Sequence, residues 1–390
     1  MDSVYKITLI LDLSATPGRN LMRGIARYSR HFGPWQLNNI GMDFYKSASK
    51  NSNFLATLKK NLINSDGVIM REPAGWDYLK KINVPVIIAS AISDVEVPSK
   101  PTIMTDSKAI GTVGAEYLFH KGFRQLAFCG LKKMLWSEHR EQYFFEAAEK
   151  AGVKVFKYSF SYPGNERNRD TVLNKLAKWI QELPKPIGIM AANDICGKLV
   201  VDSCRKCSIK VPQEVAVLGV DNDDIFCELT YPSLSSIGLN TEKAGYDSAA
   251  LLHRIIKGVK VDTHKLMIEP VGVEERQSTD VIAVDDELVS AVMRYIQNNA
   301  SRPLQVQDIV DEFNISRRCL YSKFSKISAG SVYGQIRRIR VEKISKMLTE
   351  TNLSIKEIAF SFGFSDVDHI SRLFRKEKGM TPTQYRAKYL

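Results

Sequence analysis

At 390 residues, 44% hydrophobic and 25% charged, the chain has the make-up of a globular protein too long for one ordinary core, so two or three domains are expected. No apolar run reaches the roughly 18–20 residues a membrane helix needs, and the start, MDSVYKITLILDL, has neither a basic leader nor a small-residue cleavage site; no membrane association and a cytoplasmic location with reduced cysteines are expected. The net charge of +12 is unevenly placed: residues 301–390 carry 17 Lys/Arg and 9 Asp/Glu, a net of +8, against 38 and 34 in the first 300, which points that last segment at a polyanion.

The first 280 residues alternate short Val/Ile-rich runs with helix-length amphipathic segments. The strand candidates are KITLILDL (6–13), WQLNNI (35–40), GVIM (67–70), VPVIIAS (84–90), QLAFCG (125–130), KVFKYSF (154–160), PIGIMAAN (186–193) and VAVLGVD (215–221). Between most of them lie segments such as GRNLMRGIARYSRHF, SKAIGTVGAEYLFHKG, SEHREQYFFEAAEKAG and RDTVLNKLAKWIQEL. The alternation predicts parallel sheets covered on both faces. About ten such units exceed one open sheet, so an α/β fold of two lobes is expected over residues 1–280, with a ligand in the cleft beyond the strand ends.

Polar residues cluster just past those ends: Asp12, Ser14 and Arg19; Thr105-Asp106 after the run TIMTD; Trp136 and Arg140; Asn193-Asp194; Asp221-Asn222. Asp and Asn grip neighbouring hydroxyls, Arg donates to two oxygens, and an indole stacks on a pyranose face, so this set suits a sugar or polyol. Asp12, Arg19, Asp106, Trp136, Arg140, Asn193, Asp194 and Asp221 are therefore the candidate ligand-binding residues. For any one Asp or Asn, helix capping is an equally good reading. Four of the six cysteines fall in residues 193–227, including the pair Cys204 and Cys207. That pair ends a helical segment without two further ligands nearby, so it reads as packing; no metal and no cofactor are expected.

The segments TIMTDSKAIGTVGAEYLFHKGFRQLAFCG, HREQYFFEAAEKAG, IMAANDICG and VAVLGVDNDD with PSLSSIGLN resemble, in order and spacing over roughly residues 5–278, the sensor domain of LacI/GalR-type regulators. The resemblance implies the periplasmic-binding-protein-like fold: two lobes, three crossings and a ligand in the cleft. LacI-type chains open with a DNA-binding helix-turn-helix; here Met1 leads almost at once into the first strand, so any output module is expected elsewhere.

After about residue 284 the apolar residues recur at helical spacing, giving an all-α domain over 281–390. Val289, Val292, Met293 and Ile296 share a face. Val306, Ile309, Val310 and Phe313 stripe the next helix, Asn314 suits a turn, and Ser316 suits an N-cap before a helix with Leu320, Phe324 and Ile327 inward. The long segment SVYGQIRRIRVEKISKMLTE follows. The helix–turn–helix pattern then repeats: Ile355, Ile358 and Ala359 inward, Gly363 at the turn, Ser365 as N-cap, and Val367, Ile370 and Phe374 inward. An intervening helix of some 18 residues, about 27 Å long, would set two reading helices about one DNA turn apart in successive major grooves.

The second copy carries Ile358-Ala359, Gly363-Phe364, Ile370, Arg372, Phe374-Arg375-Lys376, Gly379, Thr381-Pro382 and Tyr385-Arg386, which closely resembles the AraC/XylS-type DNA-binding domain; Ile370 stands where that family usually has Phe. By this resemblance Arg318, Tyr321 and Ser322 read bases from the first reading helix, and Asp368, His369 and Arg372 from the second. Arg317, Lys323, Arg375 and Lys376 would hold phosphates. A LacI-type sensor followed by an AraC-type reader is similar over the whole chain to the xylose-operon regulator family, with LHRIIKG, VEERQSTD and the Trp136-to-Arg140 spacing as further likenesses. That implies D-xylose as ligand, promoter DNA and RNA polymerase as partners, a homodimer and activation. Residue types leave L-arabinose open as ligand, and repression released by sugar open as the sign. No dinucleotide-binding G-x-G-x-x-G follows the first strand, Walker A and G-x-S-x-G motifs are absent, and the six His are scattered, so no enzyme is expected.

Overall fold

The computed structural model describes residues 4–40, 62, 64–71, 84–89, 101–162, 166–261, 265–281, 286–326 and 331–389. In the first lobe, β1 (Tyr5–Ile10), β2 (Trp35–Asn39), β3 (Gly67–Arg71), β4 (Val86–Ala89), β5 (Thr102–Thr105) and β11 (Lys265–Ile268) form one sheet in the order β11-β5-β4-β3-β1-β2. Every described pairing in it is parallel. Helices α1 (Thr16–Phe32) and α7 (Thr241–Ile256) cover it. They touch backbone to backbone: a Cβ on Gly24 would stand 1.9 Å from the Glu242 carbonyl oxygen, and one on Gly245 would stand 2.1 Å from that of Leu21. Only glycine permits that approach.

The second lobe has β6 (Gln125–Leu131), β7 (Lys154–Phe160), β8 (Ile187–Ala191), β9 (Val215–Asp221), β10 (Ser235–Leu239) and β12 (Pro270–Glu274), in the order β12-β10-β9-β8-β6-β7. All pairings are parallel except β12 against β10. Helices α2 (Ser107–His120), α3 (Leu135–Lys150), α4 (Glu166–Glu182), α5 (Asp194–Lys206) and the short α6 (Asp224–Glu228) accompany these strands. Central strands buried on both faces explain their unbroken apolar runs, such as IGIMA in β8.

The chain passes between lobes three times, at Asp106, Asn240 and Glu269. These passages are tied to each other: the Asp106 N–H donates to Ile268 O (2.9 Å) and the Asn240 N–H to Glu269 O (3.0 Å). Four strands fall outside the eight candidates read from the sequence: TIMT (β5), noted there only for the polar pair at its end, and SSIGL (β10), KLMI (β11) and PVGVE (β12). In the last three, the serines, lysine and glycine mask the β signal. Ser235 and Ser236 are nevertheless fully buried, because Arg276 O and the Asp194 carboxylate accept from their hydroxyls.

From Glu287 onward the described elements are helices: α8 (Glu287–Asn299), α9 (Val306–Glu312), α10 (Arg317–Lys326), α11 (Val332–Glu350), α12 (Ile355–Ser361), α13 (Val367–Lys378) and α14 (Pro382–Tyr389). Two cores form: one from α8–α10 and the start of α11, the other from the end of α11 with α12–α14. Asn314 turns the first pair at φ 47°, and Gly363 the second at φ 69°. Ser316 caps α10 by accepting from the Cys319 N–H (3.1 Å). The second cap differs from the expected Ser365. Asp366 takes the position, its carboxylate accepting from the His369 N–H (2.8 Å), because an ionised acceptor suits the helix N-terminus better than a hydroxyl. Val367 consequently starts the helix on its outer side, 36% exposed, while Ile370 and Phe374 are buried as expected. Ile327 lies outside the described residues.

Candidate functional site

The C-terminal ends of β6, β8 and β9 bring Trp136, Arg140, Asp221 and Asn222 together. The buried Arg140 guanidinium donates from Nη1 to Ala192 O (2.6 Å), lies 4.8 Å over the Trp136 ring, and places Nη2 3.9 Å from Asp221 Oδ1. Asp221 and Asn222 are consecutive non-glycine residues at φ 104° and 49°. Such conformations cost about 1–3 kcal/mol each and persist where surrounding structure holds them for a purpose. Here the Ser236 hydroxyl accepts from the Asn222 N–H (3.0 Å), while Asn222 Oδ1 is buried without a hydrogen-bond partner among the described residues. A fixed guanidinium, an indole, a carboxylate and an orphaned amide oxygen at the mouth of a cleft can grip a polyhydroxylated ring.

The first lobe meets this region through α1. Thr16 N–H donates to Asp223 Oδ2 (2.8 Å), and Arg19 Nη2 donates to the same oxygen (3.1 Å). Arg19 also donates to Leu13 O, Ser14 O and Thr16 Oγ1. Burial works against ionising Asp223, but the Thr16 and Phe226 N–H groups and Arg19 more than offset it and hold its carboxyl below the usual range. Asp12 accepts from the Ser14 N–H (3.1 Å) and hydroxyl (2.5 Å). Burial, then the Cys196 thiol and the Asp12 carboxylate, push the Tyr162 phenol up.

Three candidates have structural employment. Asp106 caps α2, accepting from the Ala109 N–H (2.9 Å), and Asn193 caps α5, accepting from the Cys196 N–H (3.0 Å). Asp194, 2% exposed, accepts from the Ser236 hydroxyl (2.5 Å) and the Asp223 N–H (2.6 Å) inside the second lobe. Burial and then the neighbouring Asp221 push its carboxyl well up. Asp194 therefore supports the loop that carries Asp221–Asp223. Asn222 was named beside Asp221 past the end of β9 but not carried into the candidate set, Asp223 was not named, and only folding brings Thr16 to Asp223. Cys196 and Cys204 are buried, with thiols pushed up to about 12 chiefly by burial, and the described residues hold no group of three or more potential metal ligands. No described helix is long and apolar enough to cross a membrane.

On the helical domain, Arg317, Arg318, Tyr321 and Ser322 of α10 and Asp368, His369, Arg372, Arg375 and Lys376 of α13 are all exposed. Arg317 Nε donates to Gln307 Oε1 (3.1 Å), and His369 Nδ1 lies 3.2 Å from Ser365 Oγ. Lys323 is committed elsewhere: it pairs with Asp286, the N-cap of α8. α11, 19 residues and about 28 Å long, separates the two exposed helices.

The family described as periplasmic binding protein-like domain matches residues 115–279, and the helix-turn-helix domain family matches residues 309–388. The chain is 28% identical to the xylose operon regulatory protein of Haemophilus influenzae over 392 residues, covering 99% of both chains. It is 28% identical to that of Escherichia coli K12 over 396 residues, covering 98% and 97%. A solved xylose-binding transcription activator superposes with a TM-score of 0.62 at 26% identity, covering 99% of each chain. A LacI-type regulator from Alkaliphilus metalliredigens, solved with D-xylulofuranose, shares the fold of 70% of this chain (98% of its own) at TM-score 0.58 and 23% identity.

Proposed function

We propose that this chain, a full-length relative of the xylose operon regulatory proteins, is a D-xylose-dependent transcription activator that works in the cytoplasm and catalyses no reaction. Sugar would enter between the lobes against Trp136, Arg140, Asp221 and Asn222, with Asp12 and Arg19 closing from the other side. The exposed faces of α10 and α13 would enter successive major grooves. On them Arg318, Tyr321, Ser322, Asp368, His369 and Arg372 would meet base edges, and Arg317, Arg375 and Lys376 phosphates.

The observation that carries the coupling is where the reader sits. Its terminal helix α14 bonds to two of the three lobe crossings: Lys388 pairs with Glu269 (2.5 Å), the Asn240 side-chain amide donates to Lys388 O (3.1 Å), and the Tyr385 hydroxyl donates to Val271 O (3.0 Å). Lys346 of α11 pairs with Glu274 of β12 (2.6 Å). A cleft that closes on sugar must move these crossings, and with them the reader. The shift in DNA binding is bounded by the sugar's preference for the closed state. Two copies joined through their sensors would present readers to paired half-sites, and the bound complex would recruit RNA polymerase.

Calorimetry against a pentose panel tests the sensor: heat with D-xylose and none with L-arabinose is expected, and flat traces throughout would overturn the sugar assignment. Sedimentation of the sugar-bound chain should give a dimer.

A further inference from the structure

The two helix-turn-helix units have separate cores, joined covalently by α11. A lone helix between two small cores leaves their relative twist soft. One buried side chain midway along α11 touches both units. Arg340, 7% exposed, donates from Nη1 to Ala300 O (3.0 Å) and to Arg302 O, in the loop that follows α8 of the first unit. From Nη2 it donates to Phe362 O (2.7 Å), at the turn of the second. Its guanidinium also lies 4.9 Å over the Phe364 ring. The same two loops meet directly: a Cβ on Gly363 would stand 2.5 Å from the Pro303 ring. We propose that Arg340 is a positioning residue that fixes the separation and helical phase of the two reading helices, and so the spacing of the two DNA motifs the protein accepts.

The planar fork is what suits arginine to this place. Its nitrogens reach carbonyls on opposite sides at once, and three carbonyls accept from it with no carboxylate among them. Lysine offers one compact ammonium and cannot span both loops. Rigid linkage of two modules confines the second binding event to one geometry; a loose linkage spreads it over many.

The inference rests on the DNA-reading function and is tested without knowing the operator. The full chain, Arg340→Met and Arg340→Lys are each used to select from random-sequence duplex DNA. The wild-type chain should enrich two motifs at one separation, about 10 base pairs centre to centre. Both variants should enrich the same motifs over several separations, with bipartite affinity about tenfold lower and single-motif affinity unchanged. One unaltered separation in both variants would overturn the proposal, as would loss of all binding with an unfolded reader, which would make Arg340 a fold determinant only. A wild-type chain that enriches no motif would overturn the DNA-reading function itself.

Discussion

Asp223→Ala isolates the contact that joins the lobes beside the cleft. The Asp223 side chain is 3% exposed and accepts from the Thr16 N–H (2.8 Å) and Arg19 Nη2 (3.1 Å), both on the opposite lobe. Hydrogen bonds to charged groups contribute about 1.5–3 kcal/mol when buried. The Arg19 end is 27% exposed and is worth less, and water repays part of the loss once the lobes part. A net loss of about 2 kcal/mol from the closed state follows, which is about 30-fold in sugar affinity. Asp223→Asn keeps an acceptor for Thr16 and should lose only about fivefold, since the charge but not the bond is removed. Calorimetry with D-xylose at pH 7 measures both, with a thermal melt to account for the α6 cap that Asp223 also provides through Phe226. Wild-type affinity in Asp223→Ala would refute the role of this bond in cleft closure.

Arg372→Ala should cost about 10- to 100-fold at one base position, the worth of a lost bidentate contact, and leave sugar heat intact; equal loss on every sequence would contradict base reading. Replacing Arg375 and Lys376 by Gln should weaken binding evenly across sequences and lower the slope of log affinity against log salt by about 2; an unchanged slope would remove them from the phosphate contacts. Glu269→Ala breaks the pair with Lys388, so the sugar-dependent change in DNA affinity should shrink several-fold while each ligand still binds alone. His120 sits on the last turn of α2 with its pKa held down at about 4, by burial and then by the Arg338 guanidinium of the reader. It is neutral in the fold and protonates more readily unfolded, so its contribution is full above pH 6.5 and declines as pH falls towards 4. His120→Gln should flatten the fall in Tm over that window, and identical profiles would discount the residue.

The fold was legible where burial on both faces writes itself as an apolar run. β9 occupies the same residues as its sequence candidate VAVLGVD, and β8 lies within PIGIMAAN. β10, which lies inside the second sheet next to the edge strand β12, was not legible, because it carries buried serines whose partners, Asp194 and Arg276, lie 41–42 residues away in sequence. At the cleft, Trp136, Arg140 and Asp221 were readable from their places beyond strand ends. Asp223 was not, because a carboxylate just before DIFCE reads as a helix cap, which it also is; its second partner comes from 207 residues away. Asp106 and Asn193 show the ambiguity resolved the other way, since both spend their side chains on the helices they precede. In the reader, helical periodicity located both motifs, and the one-residue error at Ser365 moved Val367 from the core to the surface.

The central claim is that sugar and DNA binding are linked through one chain. Mobility shift on the protein's own upstream DNA, at fixed salt with and without saturating D-xylose, measures that linkage directly. The predicted result is binding that sugar changes by about 5- to 150-fold and that added salt weakens steeply. DNA affinity identical in both conditions, with both ligands shown to bind, would contradict it.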